Sequence, residues 1–286
     1  MIKTYFNYAD GHLVYCLIVL LSIFMFIQMF SISKSSGLAA SISPTPRHQD
    51  KDGAPAAAAA AAATTINPAC GQVIKGNVKL SSNLICNNDG LIVGNGNTRV
   101  DLNGFSIKGP GINSNKVGIM VGAQNNTIIF GNGVISGFQS GIYISGSNNI
   151  VAKNINVINN KVAIYITGSK FTNINNNMLN NNTIGIASHS NNKMDLKYNL
   201  FNENNLSGIT FINTHNSTIE GNNILNTTNG IYLDVQSSFD KVDFNNLFNN
   251  VLDINNANNL PLNINNNNYS SNNCITSLPS GLCIGR

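Results

Sequence analysis

Between residues 118 and 254, apolar side chains return in short alternating groups and not along helical faces. Gly-Ile pairs or their equivalents mark the beat: Gly118-Ile119, Gly141-Ile142, Ala163-Ile164, Gly185-Ile186, Gly208-Ile209, Gly230-Ile231 and Val251-Leu252. Their steps are 23, 22, 22, 23, 22 and 21 residues. So narrow a spread marks an internal repeat. Each unit carries three apolar pieces, which around Gly141 are IYI (142–144), IVA (150–152) and INVI (155–158). The first piece alternates, with Ile142 and Ile144 facing in and Tyr143 facing out. Ile164/Ile166, Ile209/Phe211, Ile231/Leu233 and Leu252/Ile254 repeat it. A period of two over three to five residues predicts strands. After residue 68 no window shows a helical period. Three short strands in roughly 22 residues, without hairpin turns, close only by coiling, each coil ~4.8 Å from the last. The fold class is all-β, a parallel β-solenoid with Ile142, Ile164, Ile186, Ile209 and Ile231 in one buried row.

Asn crowds the spaces between these pieces. It is a poor strand and helix former, but it tolerates the positive φ that corners need. Stacked Asn can also pass amide hydrogen bonds from coil to coil. Asn132, Asn154, Asn177, Asn199, Asn223 and Asn246 precede the third apolar piece at steps of 22, 23, 22, 24 and 23, and form the expected ladder.

With these units in view, the repeat resembles the NosD-type, pectate-lyase-like parallel β-helix repeats. The segment Cys70 to Gly111, CGQVIKGNVKLSSNLICNNDGLIVGNGNTRVDLNGFSIKGPG, is similar to the opening coils of secreted proteins of that kind. The resemblance covers about residues 70 to 285. It implies a right-handed, single-stranded helix and says little about activity, because this architecture hosts lyases, hydrolases, epimerases, adhesins and accessory proteins.

The rest of the chain is read by composition. Residues 1–12 form a short tail. Residues 13–32, LVYCLIVLLSIFMFIQMFSI, carry no charge and are long enough as a helix to cross a ~30 Å hydrocarbon core. They are expected to be a retained anchor. A cleaved export signal, with a weak site at Gly37-Leu38-Ala39, is the other reading. Residues 33–67, rich in Ser, Pro and Ala, read as a spacer, and 68–286 as the β-helix domain. Both readings of the apolar stretch place the domain at the outer face of a membrane or in the secreted fraction. Charged residues make up only 10% and the formal charge is +4 without a basic run, so nucleic acid is not an expected partner.

Cys70, Cys86, Cys274 and Cys283 are an even set in an exported domain. The two ends of a solenoid cannot touch, so the expected bonds are Cys70–Cys86 and Cys274–Cys283. Neither the spacing nor the distance suits a four-cysteine metal site.

Chemistry is sparse. Aligning the second piece on Val151, Ile174, Leu196, Ile219 and Val242 as inward residues puts Ile150, Asn173, Asp195, Thr218 and Lys241 in one outward column. Ala152, Asn175, Lys197, Glu220 and Asp243 form the other. Asp195, Lys197, Glu220 and Asp243, with Lys241, thus share one patch. Paired carboxylates such as Glu220 and Asp243 can serve sugar chemistry or hold Ca²⁺. The plainer reading is a solvated ladder neutralised by Lys197 and Lys241. The first piece gives an outward column of Met120, Tyr143, Tyr165, Ala187, Thr210, Tyr232 and Asp253, followed at one corner by His189, Ile212 and Asp234. Tyr143, Tyr165, Tyr232, His189 and Asp234 are candidates for sugar contacts. No phosphate loop, dinucleotide loop, zinc motif or serine elbow is present, and no organic cofactor is expected. The expected function is a surface-structural or carbohydrate-binding role, with a polysaccharide lyase or epimerase as the alternative.

Overall fold

The structure, a computed structural model, describes residues 64–66, 68–260 and 264–283. The tail, the apolar stretch 13–32 and nearly all of the spacer lie outside these residues. The described residues form strands and turns, with no helix. They wind into a parallel β-helix of about nine turns. One turn serves as the pattern: Ser140–Ser145 in the first sheet, Asn148–Lys153 in the second, Asn156–Ile158 in the third, then Val162–Thr167 back in the first. The first and second sheets each hold ten strands and the third holds eight, every pairing being parallel. Thr64–Ile66 pairs with Val78–Leu80, so the second sheet begins inside the stretch read as spacer.

Register places each inward residue on its equivalent one turn away. Ile142, Ile164, Ile186, Ile209 and Ile231 make one continuous row, each fully buried. Burying an Ile is worth roughly 1.5–3 kcal/mol. The row therefore contributes to cohesion along the axis, beside the equally buried rows of the other two sheets. It continues into Ile254, not Leu252, because Ile231 pairs with Ile254. The Val251-Leu252 equivalence is therefore two residues early. A second correction concerns Val151. It pairs with Asn173 and points outward, while Ile150 and Ala152 are the buried residues of that strand. Three consecutive apolar side chains, Ile150, Val151 and Ala152, satisfy the alternation in either phase. Two turns are longer than the rest: Leu91 pairs with Ile119 and Val242 with Tyr269.

Close packing appears where Gly118, Gly141, Ala163, Gly185, Gly208 and Gly230 stack. A Cβ on Gly208 would lie 2.6 Å from the Ile224 side chain and 2.8 Å from the Gly230 carbonyl oxygen. Asp253 ends this column, buried and not outward as expected. Its carboxylate accepts the Ile275 and Thr276 N–H groups at 3.0 Å each and the Asn250 amide at 2.9 Å.

The asparagine column divides into three kinds of position. Asn132 and Asn154 are exposed and sit at φ 53°. Asn223 and Asn246 open strands of the third sheet. Only Asn177 and Asn199 are rungs of the buried ladder, which runs on through Asn222, Asn245 and Asn272. Each backbone N–H donates to the Oδ1 of the next rung at 2.9–3.1 Å. Each Nδ2 also donates to that oxygen, and to a carbonyl of the turn before, as from Asn199 to Ile174 at 2.8 Å. A corner here is one residue at positive φ followed by one buried rung, and in Asn-Asn pairs the sequence does not say which is which. A second ladder, Asn160, Asn182 and Asn204, joins the third sheet to the first.

The Cys70–Cys86 and Cys274–Cys283 disulfides form as expected, one at each end of the array.

Asn199→Ala leaves the buried Asn177 N–H without its acceptor, which costs about 1–3 kcal/mol. We expect a fall in Tm of several degrees, whereas Asn223→Ala stays within about 0.5 kcal/mol of wild type. Parallel thermal and urea melts measure the contrast.

Candidate functional site

The second sheet delivers the charged patch. Asp195 pairs with Thr218 and then Lys241, and Lys197 with Glu220 and then Asp243. Lys197 Nζ lies 3.2 Å from Asp195 and 3.3 Å from Glu220, and Lys241 Nζ lies 2.8 Å from Asp243. Burial pulls the Lys197 ammonium down, but its two carboxylate partners outweigh that and raise it overall. The contact with Asp243 raises Lys241. Burial pushes Asp243 up, yet hydrogen bonds from Lys241 and Ser270 (2.7 Å) win and hold it below the usual carboxylate range. All three carboxylates are thus engaged by lysines. A general acid in sugar chemistry needs the opposite, a carboxyl kept protonated.

In the first sheet, Tyr143 and Tyr165 are register partners whose rings stack with centroids 5.4 Å apart at 26°. Tyr165 is buried; burial, and then the neighbouring Tyr143, push its hydroxyl well up. Ala187 and Thr210 follow in the column, then Tyr232. The column passes to Asn255 and not to Asp253. His189 pairs with Ile212 at the strand end. Asp234 is a turn former: its Oδ1 accepts Asn213 N–H at 3.0 Å, Ser237 N–H at 2.8 Å and Ser237 O–H at 2.7 Å. The structure therefore brings Tyr143 and Tyr165 together, and leaves Tyr232 three turns from Tyr165, ~14 Å at the strand spacing.

Three features escaped the sequence reading. Asp240 is a buried rung, accepting Ser217 N–H at 2.8 Å, while its other oxygen has no hydrogen-bond partner. Burial raises its carboxyl to about 8, with the Ser217 N–H opposing and the Asp234 charge adding. Phe171 and Phe239 occupy positive-φ positions entering the second sheet, and Tyr198 and Phe244 do so leaving it, all four exposed. The signal available was an aromatic standing at a corner that other turns fill with Asn, Gly, Ser or Lys.

Residues 70–279 match the family described as "Periplasmic copper-binding protein (NosD)". The chain belongs to this family of β-helix proteins. No curated protein sequence matches significantly. Among solved structures, the DFA-IIIase of Arthrobacter chlorophenolicus A6 without its lid is 13% identical over 73% of this chain and 65% of that one, with a TM-score of 0.41. The Dettilon tailspike protein gp208 is 12% identical over 75% and 60%, with a TM-score of 0.40. The chain spans between 47% and 65% of the lengths of four solved structures that it matches. Likeness this distant says nothing about substrate.

The family description raises copper, which favours thiolate, thioether and imidazole ligands. Among the described residues, no three His, Cys, Asp or Glu side chains converge. The four cysteines of the β-helix are closed in disulfides. His215 uses both ring nitrogens, on Ser238 Oγ (2.9 Å) and Asn213 Oδ1 (3.0 Å). Among the described residues, the His, Cys, Asp and Glu side chains thus assemble no copper centre.

Asp240 gives a pH test. The folded chain holds its proton up to about 8, while the unfolded chain releases it near ~3.9. Stability should therefore fall as pH rises from ~4 towards 8 and level off above. In Asp240→Asn this component disappears, and the variant should exceed wild type at pH 8 more than at pH 5 in urea unfolding. An amide suits the site, as Asn267 on the next turn shows by donating to the Ser237 carbonyl at 3.1 Å.

Proposed function

We propose that this protein is an exported, carbohydrate-binding β-helix that does not cleave its ligand. The observation that carries the reading is the stacked Tyr143–Tyr165 pair on the outward face of the first sheet. Tyr165 is buried and fixes the orientation of Tyr143, which remains half-exposed. A ring held flat in advance loses little conformational freedom on binding. Ala187 and Thr210 keep the next two turns low, and Tyr232 stands at the far side. This profile suits a few sugar units of an extended glycan running along the axis, with His189 at its border. Asp195, Lys197, Glu220 and Asp243 serve here as an ion-paired surface and not as an acid–base pair.

Export is supported by the two disulfides, which persist in oxidising compartments. We place the domain at the outer face of a membrane, held by residues 13–32, or in the secreted fraction where that segment is cut. The partners in this reading are the membrane and a surface glycan, without nucleic acid.

Binding and turnover measured over a panel of neutral and acidic polysaccharides test the proposal. We expect retention of at least one glycan without cleavage. Tyr143→Ala should weaken it about tenfold, equivalent to ~1.4 kcal/mol and within reach of one aromatic contact. Glu220→Gln should leave it unchanged. Cleavage that Glu220→Gln abolishes would overturn the reading.

A further inference from the structure

The corner between the second and third sheets carries a column that the buried ladder does not use. It runs Asn132, Asn154, Asn176, Tyr198, Gly221 and Phe244, all with φ between 52° and 65°. Asn accepts this conformation readily, whereas a bulky aromatic is an outlier there. Tyr198 and Phe244 are nevertheless 59% and 62% exposed, so burial offers them little in return. The column continues into Ser271 at φ 54°, so the other turns fill this place with Asn, Gly or Ser, and none of them needs a ring. Strain kept at a residue that packs little points to a task outside folding.

The surroundings of Tyr198 give that task a shape. A Cβ at Gly221 would lie 2.6 Å from its ring, so the ring lies along the corner in space that only glycine leaves open. On the other side Tyr198 borders a shallow, open groove of about 400 Å³, lined by Asn132, Asn154, Asn156, Asn176 and Met178. Asn132, Asn154 and Asn176 recur once per turn, and each amide presents a donor and an acceptor at one point. No lining residue is charged. Met178, 40% exposed, adds an apolar thioether.

We propose that this corner groove is a second glycan site, which holds a neutral polysaccharide strand along the helix axis. Sugar hydroxyls pair with the amides of Asn132, Asn154 and Asn176, and a sugar ring lies against Tyr198. The absence of charge in the lining rejects polyanions, which would gain no partner for their carboxylates. The ligand class rests on the reading of the tyrosine face; the site itself is separate, on another corner of the helix.

Native electrophoresis of the full chain through gels holding barley β-glucan, xylan, galactomannan, polygalacturonate or alginate tests the groove. Tyr198→Asn removes the ring and installs the residue that the preceding turn, at Asn176, uses at the same φ. We expect its Tm to equal or exceed wild type, while affinity for the retarding neutral polysaccharide falls about tenfold. Gly221→Ala, which displaces the ring, should weaken the same ligand. Tyr143→Ala should leave a remainder that Tyr198→Asn then abolishes. Wild-type retention by Tyr198→Asn, with loss in Tyr143→Ala, overturns the groove and leaves the tyrosine face standing. A fall in Tm with unchanged affinity assigns Tyr198 to folding and overturns the groove as well. Retardation by polygalacturonate or alginate alone overturns the neutral site. Retardation by none of the five overturns both readings.

Discussion

Parallel pairing at one-turn intervals makes every residue the neighbour of its own equivalent. The rest of the structure follows from that constraint. Inward positions favour apolar residues, because each faces its own equivalents above and below; hence the unbroken isoleucine row through Ile142 and Ile231, while Ser188, inward between Ile166 and Phe211, is buried with its hydroxyl bonded to Thr214 at 2.7 Å. Outward positions are free of that demand and vary from turn to turn, as in the column Tyr143, Tyr165, Ala187, Thr210 and Tyr232. Corners carry the strictest demand, since a sharp change of direction exposes backbone N–H groups inside a dry interior. Here the Asn177 to Asn272 rungs meet it, each amide oxygen receiving both the backbone and the side-chain donor of the turn below.

The same constraint explains why the electrostatics are quiet. Like charges stacked on successive turns would repel. Glu220 and Asp243 do stack on successive turns, and lysines offset them: Lys197 reaches Asp195 and Glu220, and Lys241 reaches Asp243. A surface arranged this way is self-neutralising and poorly suited to proton transfer. Asp240 is the exception in kind. It does the work of an amide with a carboxyl, and its second oxygen finds no donor.

Much of the fold was legible because the repeat is almost regular and each apolar triplet states its own phase. The strand class, the buried row, both disulfides and the neighbours in the charged patch could be read directly. Reading failed where the alphabet became degenerate. In Ile150-Val151-Ala152, three apolar residues allow two phases. In runs such as Asn175-Asn176-Asn177, the exposed left-handed residue and the buried rung share one letter, although their environments are opposite. Counting steps of 22 drifted across that boundary and gathered Asn154, Asn199 and Asn223 into one file. Aromatics at left-handed corners stayed hidden for another reason: Phe171 and Tyr198 read naturally as apolar strand residues until the φ angles separate them from the core.

The glycine file beside the isoleucine row has a meaning beyond packing. A coil built of near-identical units has no intrinsic length, since any turn can seat another. Asp253 breaks that indifference. Where Gly118 to Gly230 offer only hydrogen or a methyl group, it inserts a carboxylate that receives the Ile275 and Thr276 N–H groups, just ahead of Ser277–Leu278, the strand that stacks on its own. The step from this turn to the next is thus gripped by a side chain that the glycine turns lack. A duplicated Gly-Ile unit set in its place would lose that grip, so here the units cease to be interchangeable.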